Sequence, residues 1–469
     1  MKKGIPGLWR KAFFLLSGNS ATAILTLARN LLVARMLPVA DYGIAATFAI
    51  TMAVVEMASA LGLQQQIIQA KDGDDPRFQA ALQGFQVLRG AASALILLAM
   101  AHPLAAFLGI SEVAWAYQVL AVMPVLNALQ HFDMHRMQRR MVFGPVLMTS
   151  LLPAVLSLML IWPLVIWFGD WQAMLWAIVA QGLASMLMSH LVAERPYRLA
   201  LDRQIMARNL AFGWPLLLNT ILLFMVFNGE KLIVGHELGM KALGIFAMGM
   251  TLTLTPTLVM AKSATSFFLP RLSAADRATD KGEARFQRLG SAVFEIHLIF
   301  GSVVVLAVLL LGTPFIGLIL GPKYAPLVPL LTLLAVMQGL RVLKGGPSTI
   351  ALSRAQTSNA MIANLVRVAL LPAGFVVAER TGRIDLVIAL GIVGEAVGFA
   401  IASWLVRRRA RLSVRRLALP VALSLALFLV AASTVALNVP LIWAVPTACT
   451  LFAAQVWRLR GLLAEVNSL

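Results

Sequence analysis

The chain has 469 residues, 60% of them hydrophobic and only 13% charged, whereas soluble domains carry about 45–50% apolar and about 25% charged residues. That apolar excess has no place in water, so a soluble globular enzyme or binding domain is excluded and the bilayer must be the solvent. The net charge of +19 suggests nucleic acid as a partner, but no polar stretch is long enough to fold into the basic domain that nucleic-acid binding requires.

A membrane-crossing helix needs roughly 20 mostly apolar residues. Fourteen such spans are predicted, at 11–33, 43–68, 80–101, 113–132, 142–168, 171–193, 210–235, 242–268, 289–312, 325–343, 358–378, 384–406, 417–437 and 440–457. The expected fold is all-α, a polytopic membrane helical bundle. The start, MKKGIPGLWRKAFFLL, has the basic opening of a signal peptide. Its apolar stretch is interrupted by Ser17, Gly18, Asn19 and Ser20 and runs on to Arg29, which fits a first span better than a cleaved leader. The loop 194–209 separates six spans (1–193) from the next six (210–406). Residues 407–469 hold the final pair, split only by Asn438-Val439-Pro440. That pair reads either as a tight hairpin or as an appendage to a twelve-span core.

With a cytoplasmic N-terminus, 29 of the 39 Lys and Arg residues fall in cytoplasmic segments, five in the opposite loops and five inside spans. This asymmetry is the positive-inside signal, and it predicts that both termini are cytoplasmic. The block Arg407-Arg408-Arg409, with Arg411, Arg415 and Arg416, fits a membrane-face anchor near anionic lipid heads.

The halves look related. Shifted by 201 residues, LLVARMLPVADYGIAA falls on LIVGHELGMKALGIFA without a gap, so that Leu31, Val33, Leu37, Gly43, Ile44 and Ala46 meet Leu232, Val234, Leu238, Gly244, Ile245 and Ala247. Six spans separate the copies, so both run in the same direction. Parallel repeats related by an axis along the membrane normal are one architecture of secondary transporters.

Charges inside spans are costly and tend to face a cavity or a partner. Here they are Arg29, Glu56, Arg89, Glu230, Lys231, Lys262, Glu295, Arg367 and Glu395, with His297 beside Glu295. A cavity lined by Arg29, Arg89, Lys231, Lys262 and Arg367 would be cationic and would attract a diphosphate or an acidic sugar. Glu56, Glu230 and Glu295 are the candidates for pairing with those cations or for carrying protons. Eleven residues make almost three helical turns, which puts Asn19 and Asn30 on one stripe of the first span and Asn219 and Glu230 on one stripe of the seventh. These asparagines are candidate polar lining. The plainer alternative is that Arg29, Lys262 and Arg367 snorkel to an interface and that Glu230 and Lys231 are partnered structurally.

Catalytic and metal signatures are absent. There is no GxxxxGK[ST] phosphate loop, His236-Glu237 lacks the second histidine of a zincin, and Cys449 is the only cysteine. His131 and His135 have metal-ligand spacing, but a wet helix end is the better account. No enzyme activity, cofactor or metal is expected, apart from a coupling H+ or Na+.

The same junctions carry a family resemblance. ARNLLVARMLPVADYGIAATFAI with LGLQQQIIQ, the stretch RPYRLALDRQIMARNLAFGWPLLLNTILLFMVFNGEKLIVGHELGMKALGIFAMG, and GLILGPKYAPLVPLLTLLAVM resemble the polysaccharide biosynthesis (O-antigen and exopolysaccharide) flippases of the multidrug/oligosaccharidyl-lipid/polysaccharide (MOP) exporter superfamily. Leu37-Pro38-Val39 departs from the family's usual Leu-Gly-Pro. Glu230 and Lys231 match its acidic–basic pair, and Gly321, Pro322, Tyr324 and Ala325 match a further junction. The resemblance implies two six-helix lobes related by a pseudo-two-fold axis around a central cavity, in a bacterial inner membrane. The implied cargo is an undecaprenyl-diphosphate-linked oligosaccharide, moved by an ion gradient or the membrane potential. Membrane lipids and a polysaccharide polymerase or export machinery are the implied partners. Arg29 is the nearest match to a basic residue late in the first helix of the related lipid II flippases. Two competing readings are a multidrug/cation antiporter of the same superfamily, which wants a carboxylate-dominated cavity, and an integral-membrane polymerase or ligase, which wants a sizeable extracytoplasmic loop.

Overall fold

In hydrocarbon no water is available to bond backbone amides, so each crossing segment must satisfy its own N–H and C=O groups, which an α-helix does. The computed structural model describes residues 5–59, 62–275, 279–356, 358–413 and 417–467, and among them there is no β-strand. Most residues of the fourteen expected spans are helical; 129–132 of the fourth are not, and 60–61 of the second lie outside the described residues. Among the described residues nine helices are long and apolar enough to cross a membrane, or ten when one bent pair is counted as a single span. The chain is a multi-pass membrane protein.

It divides into two units, Met1–Asn228 with Gly239–Gly244, and Gly229–Leu238 with Ile245–Leu469. The first unit holds α1 (Ile5–Met36), α2 (Val39–Ser59), the short α3 (Leu63–Gln69), α4 (Pro76–Phe107), α5 (Ala114–Leu120), α6 (Val122–Ala128), α7 (Asp133–Arg139), α8 (Gly144–Phe168) and α9 (Gln172–Leu191), and ends in the start of α10 (Arg203–Ser273). Asp75 opens α4 by accepting a 2.9 Å hydrogen bond from the Arg77 amide, with Pro76 at the first helical position, where its missing N–H costs nothing. α8 packs on both α1 and α9. Phe48 meets Tyr117 and Trp171 edge-on, with ring centroids 5.7 Å apart in each pair.

α10 is 71 residues long because two helices run together across Gly239, whose φ of 80° and ψ of 174° are not helical. Only glycine enters that region at little cost. The turn stands where Pro38 separates α1 from α2 under the 201-residue shift. The repeat is also visible as packing inside the first unit. A Cβ added to Gly43 would strike the Met240 carbonyl, and one added to Gly244 would strike the Val39 carbonyl. Gly43 with Gly244, and Val39 with Met240, are each 201 residues apart, so the contact is reciprocal.

The second unit continues through α11 (Asp280–Phe315), α12 (Leu327–Leu343), α13 (Gly345–Leu352), α14 (Ser358–Ala369), α15 (Leu371–Thr381), α16 (Ile384–Leu405), α17 (Ala418–Ala436) and α18 (Leu441–Asn467). Its core gathers Phe286, Phe294, Val305, Leu343 and Leu427. The last two helices pack on each other and onto α11, and α17 also reaches α12. They form a hairpin built into this core.

Candidate functional site

In the first unit, Thr22, Thr26 and Arg29 follow the i, i+4, i+7 spacing that puts side chains on one helix face. They line a cavity of about 470 Å³, together with Asn127, Thr149 and Gln181. Arg29 is 9% exposed. Its Nη1 donates to Ser157 Oγ on α8 at 2.9 Å and to Gln181 Oε1 on α9 at 2.6 Å. Ser157 is held in turn by the Ala177 carbonyl at 3.3 Å. Among the described residues no carboxylate lines this cavity or pairs with Arg29. Among the described residues the acceptors of this buried guanidinium are neutral, which favours an anionic occupant.

The other first-unit candidates separate from it. Arg89, on α4, has a buried Nη1 without a hydrogen-bond partner, and it does not line the cavity. Asn30 is half-buried beside Arg29, also off the lining. Asn19, Glu56 and, later in the chain, Asn219 have side chains outside the described residues.

The second unit holds a denser cluster. Arg367 on α14 bridges two carboxylates, Glu230 Oε2 at 2.5 Å and Glu395 Oε1 at 3.4 Å. Glu395, fully buried on α16, also receives Arg341 Nε at 2.8 Å and Lys344 Nζ at 2.5 Å. Gln338 and Asn364 accept from Arg341 and Lys344 at 3.0 and 3.2 Å. Lys231 follows Glu230 in the chain, half-buried and in the field of Arg341. With every group ionised, four basic side chains face two carboxylates, leaving an excess of two positive charges. Gly391 on α16 makes the room, because a Cβ there would fall 2.5 Å from Glu230 Oε1 and 2.7 Å from Arg367 Nη1.

Two expected members are elsewhere. Lys262 is exposed on α10. Glu295 lies 3.7 Å from Arg458 of α18, so its pairing secures the C-terminal helix to α11 and does not join the cationic cluster. Arg341 and Lys344, at the end of a span, are not among the charges that the sequence singles out. The signal that could have placed them inside is the Gln338, Arg341, Lys344 spacing of three, which makes one polar stripe. Ser157 and Gln181 carry no comparable signal.

Outside the spans, Asp133 at the start of α7 accepts from Arg136 Nε at 2.5 Å and Nη2 at 3.1 Å, and from the Glu194 and Arg195 amides at 2.8 and 3.2 Å. Burial pushes its carboxyl up, but the bonds from Arg136 and the two amides outweigh burial and hold the pKa at about 2. His131, one of the spaced histidines, stands edge-on to His190 and Tyr197 at 5.4 and 5.5 Å.

A family model described as polysaccharide biosynthesis protein matches residues 32–329, well over half of the chain. The chain belongs to that family. No curated protein matches the sequence. Among solved structures, the chain is similar to "Lipid II flippase MurJ, inward closed conformation" with a TM-score of 0.72 and 13% identity, covering 96% of this chain and 100% of that one. It is also similar to an inward-facing "multidrug resistance MATE family transporter of the MOP superfamily" with a TM-score of 0.67 and 16% identity, covering 83% and 94%. A eukaryotic MATE transporter follows with a TM-score of 0.58 and 17% identity, covering 84% and 93%. At these identities the likeness is one of fold, that of the MOP transporters.

Proposed function

We propose that this polysaccharide biosynthesis family member is a flippase, one that moves undecaprenyl-diphosphate-linked oligosaccharide from the cytoplasmic to the periplasmic leaflet of a bacterial inner membrane. It works by alternating access, driven by an ion gradient or the membrane potential. The observation that carries the reading is Arg29, a buried guanidinium in a polar cavity without a carboxylate partner among the described residues. A diphosphate supplies the missing charge, while the Thr, Asn and Gln side chains of the same wall suit sugar hydroxyls. The fold likeness to a lipid II flippase supports a lipid-linked cargo.

The antiporter reading fits less well. A greasy cation needs a free carboxylate, and Glu230, Glu395 and Glu295 are each engaged by Arg or Lys. A polymerase or ligase needs catalytic groups beyond the membrane, and the loop around Lys323 between α11 and α12 is short.

The test is the leaflet distribution of lipid-linked oligosaccharide. Deletion of the gene should trap it on the cytoplasmic side. Wild type should restore transport, and Arg29→Gln, expressed at the same level, should fail to. A normal distribution in the deletion strain sinks the proposal.

A further inference from the structure

A second recess in the second unit is almost wholly apolar. It is a groove of about 460 Å³ between α11, α12, α16 and α17, with Phe294, Leu340, Phe399 and Leu425 on its walls. Recesses of about 300–1,000 Å³ are the size at which proteins hold discrete small molecules. The end of α16 supplies its few polar groups, Ser403 and Arg407, which are four residues apart and therefore on one face, with Trp404 beside them.

Three features of that end mark it as a binding edge. The Ser403 hydroxyl is buried without a hydrogen-bond partner, although a helical serine usually turns to a carbonyl one turn back. Arg407 is exposed and has no ion pair among the described residues, whereas its neighbour Arg409 is tied to Ser358 and Asn359 at 3.0 and 2.7 Å. The helix widens there into a π turn, Val406–Ala410, a distortion frequently found at functional sites. Arg408 adds a second positive charge, stacked 4.8 Å over the Trp404 ring. Among the described residues no carboxylate lines the groove.

We infer that this groove is a site for an anionic phospholipid of the surrounding leaflet, with one acyl chain against Phe294 and Phe399 and its phosphate between Arg407 and Ser403. The chemistry is complementary at both ends. The chain fills apolar surface, and the phosphodiester accepts from a free guanidinium and from a hydroxyl that otherwise has no partner. A zwitterionic lipid satisfies the groove but brings its own cation to the arginines, so the site prefers a headgroup with net negative charge. The inference goes beyond the transport reading and does not depend on it.

Trp404 is a built-in reporter. The full-length protein is reconstituted into phosphatidylcholine vesicles holding a minor fraction of either brominated phosphatidylglycerol or brominated phosphatidylcholine. Quenching at the groove is the difference between each protein and its Trp404→Phe counterpart. Wild type should favour the brominated phosphatidylglycerol by about fivefold, the preference one basic side chain confers at an anionic surface. Arg407→Gln should abolish that preference, and Arg271→Gln, a basic residue away from the groove, should keep it. Equal quenching by both lipids in wild type, or a preference that survives Arg407→Gln, overturns the assignment. Native mass spectrometry of the purified protein identifies the occupant. A retained phosphatidylglycerol-class lipid lost in Arg407→Gln supports the site, and a polyprenyl phosphate in its place overturns the choice of occupant.

Discussion

At the scale of single residues, the difference between the two cationic sites is their counterions. Arg29 leans on neutral acceptors, whereas Arg367 stands between Glu230 and Glu395. Removing one partner of a buried ion pair typically costs about 3–5 kcal/mol, because the other charge is left uncompensated. Arg367→Gln should therefore unfold in detergent far more readily than wild type. The double variant Arg367→Gln with Glu230→Gln should be less destabilised than the sum of the single changes by about 0.5–3 kcal/mol, the usual coupling of contacting groups. Strict additivity in that cycle would show that Arg367 and Glu230 are not partners. The sequence made Glu230, Lys231, Arg367 and Glu395 conspicuous, because any charge in an apolar run stands out. It concealed Arg341 and Lys344, since a charge at the end of a run looks the same whether it turns out to water or in to a carboxylate.

At the scale of elements, hydropathy located the helices well, since backbone satisfaction leaves hydrocarbon few alternatives. It was weaker at breaks. The fourth span is divided between α5 and α6, and α7 turns away from it by 48°. What fixes that turn is polar and therefore silent in a hydropathy profile. Asp133 grips Arg136 and the amides that begin the 194–209 loop, and Arg195 of that loop reaches Gln79 and the Asp74 carbonyl at 3.0 and 2.9 Å. Because the carboxyl of Asp133 is held at about 2 in the fold against an ordinary value near about 3.9, it binds fewer protons folded than unfolded. Its stabilisation is complete above about pH 4 and is lost as pH falls through about 2. With allowance for water near the loop, the loss amounts to about 1–2 kcal/mol. Asp133→Asn should lower stability at about pH 6 and should flatten the decline between about pH 4 and about pH 2 relative to wild type. Parallel acid curves for the two proteins would remove Asp133 as the clamp.

At the scale of the whole molecule, the distribution of basic residues predicts the orientation. Arg341 and Lys344, at the end of the tenth expected span, belong to the buried ion cluster. The predicted bias is strongly one-sided, because the polar segments 194–209 and 269–288 and the arginine block at 407–416 each follow an even-numbered expected span. Counting the expected spans predicts Asp202, after the sixth, on the side of the N-terminus and Lys323, after the ninth, on the opposite side. A fluorescent reporter fused after Asp202 should light up in the cytoplasm, and a phosphatase fused after Lys323 should be active outside it. If the break at Gly239 did not mark two separate crossings, every later segment would change sides. The phosphatase after Lys323 would then be silent while the reporter after Asp202 stayed bright, so this pair of fusions tests the orientation and the Gly239 reversal together.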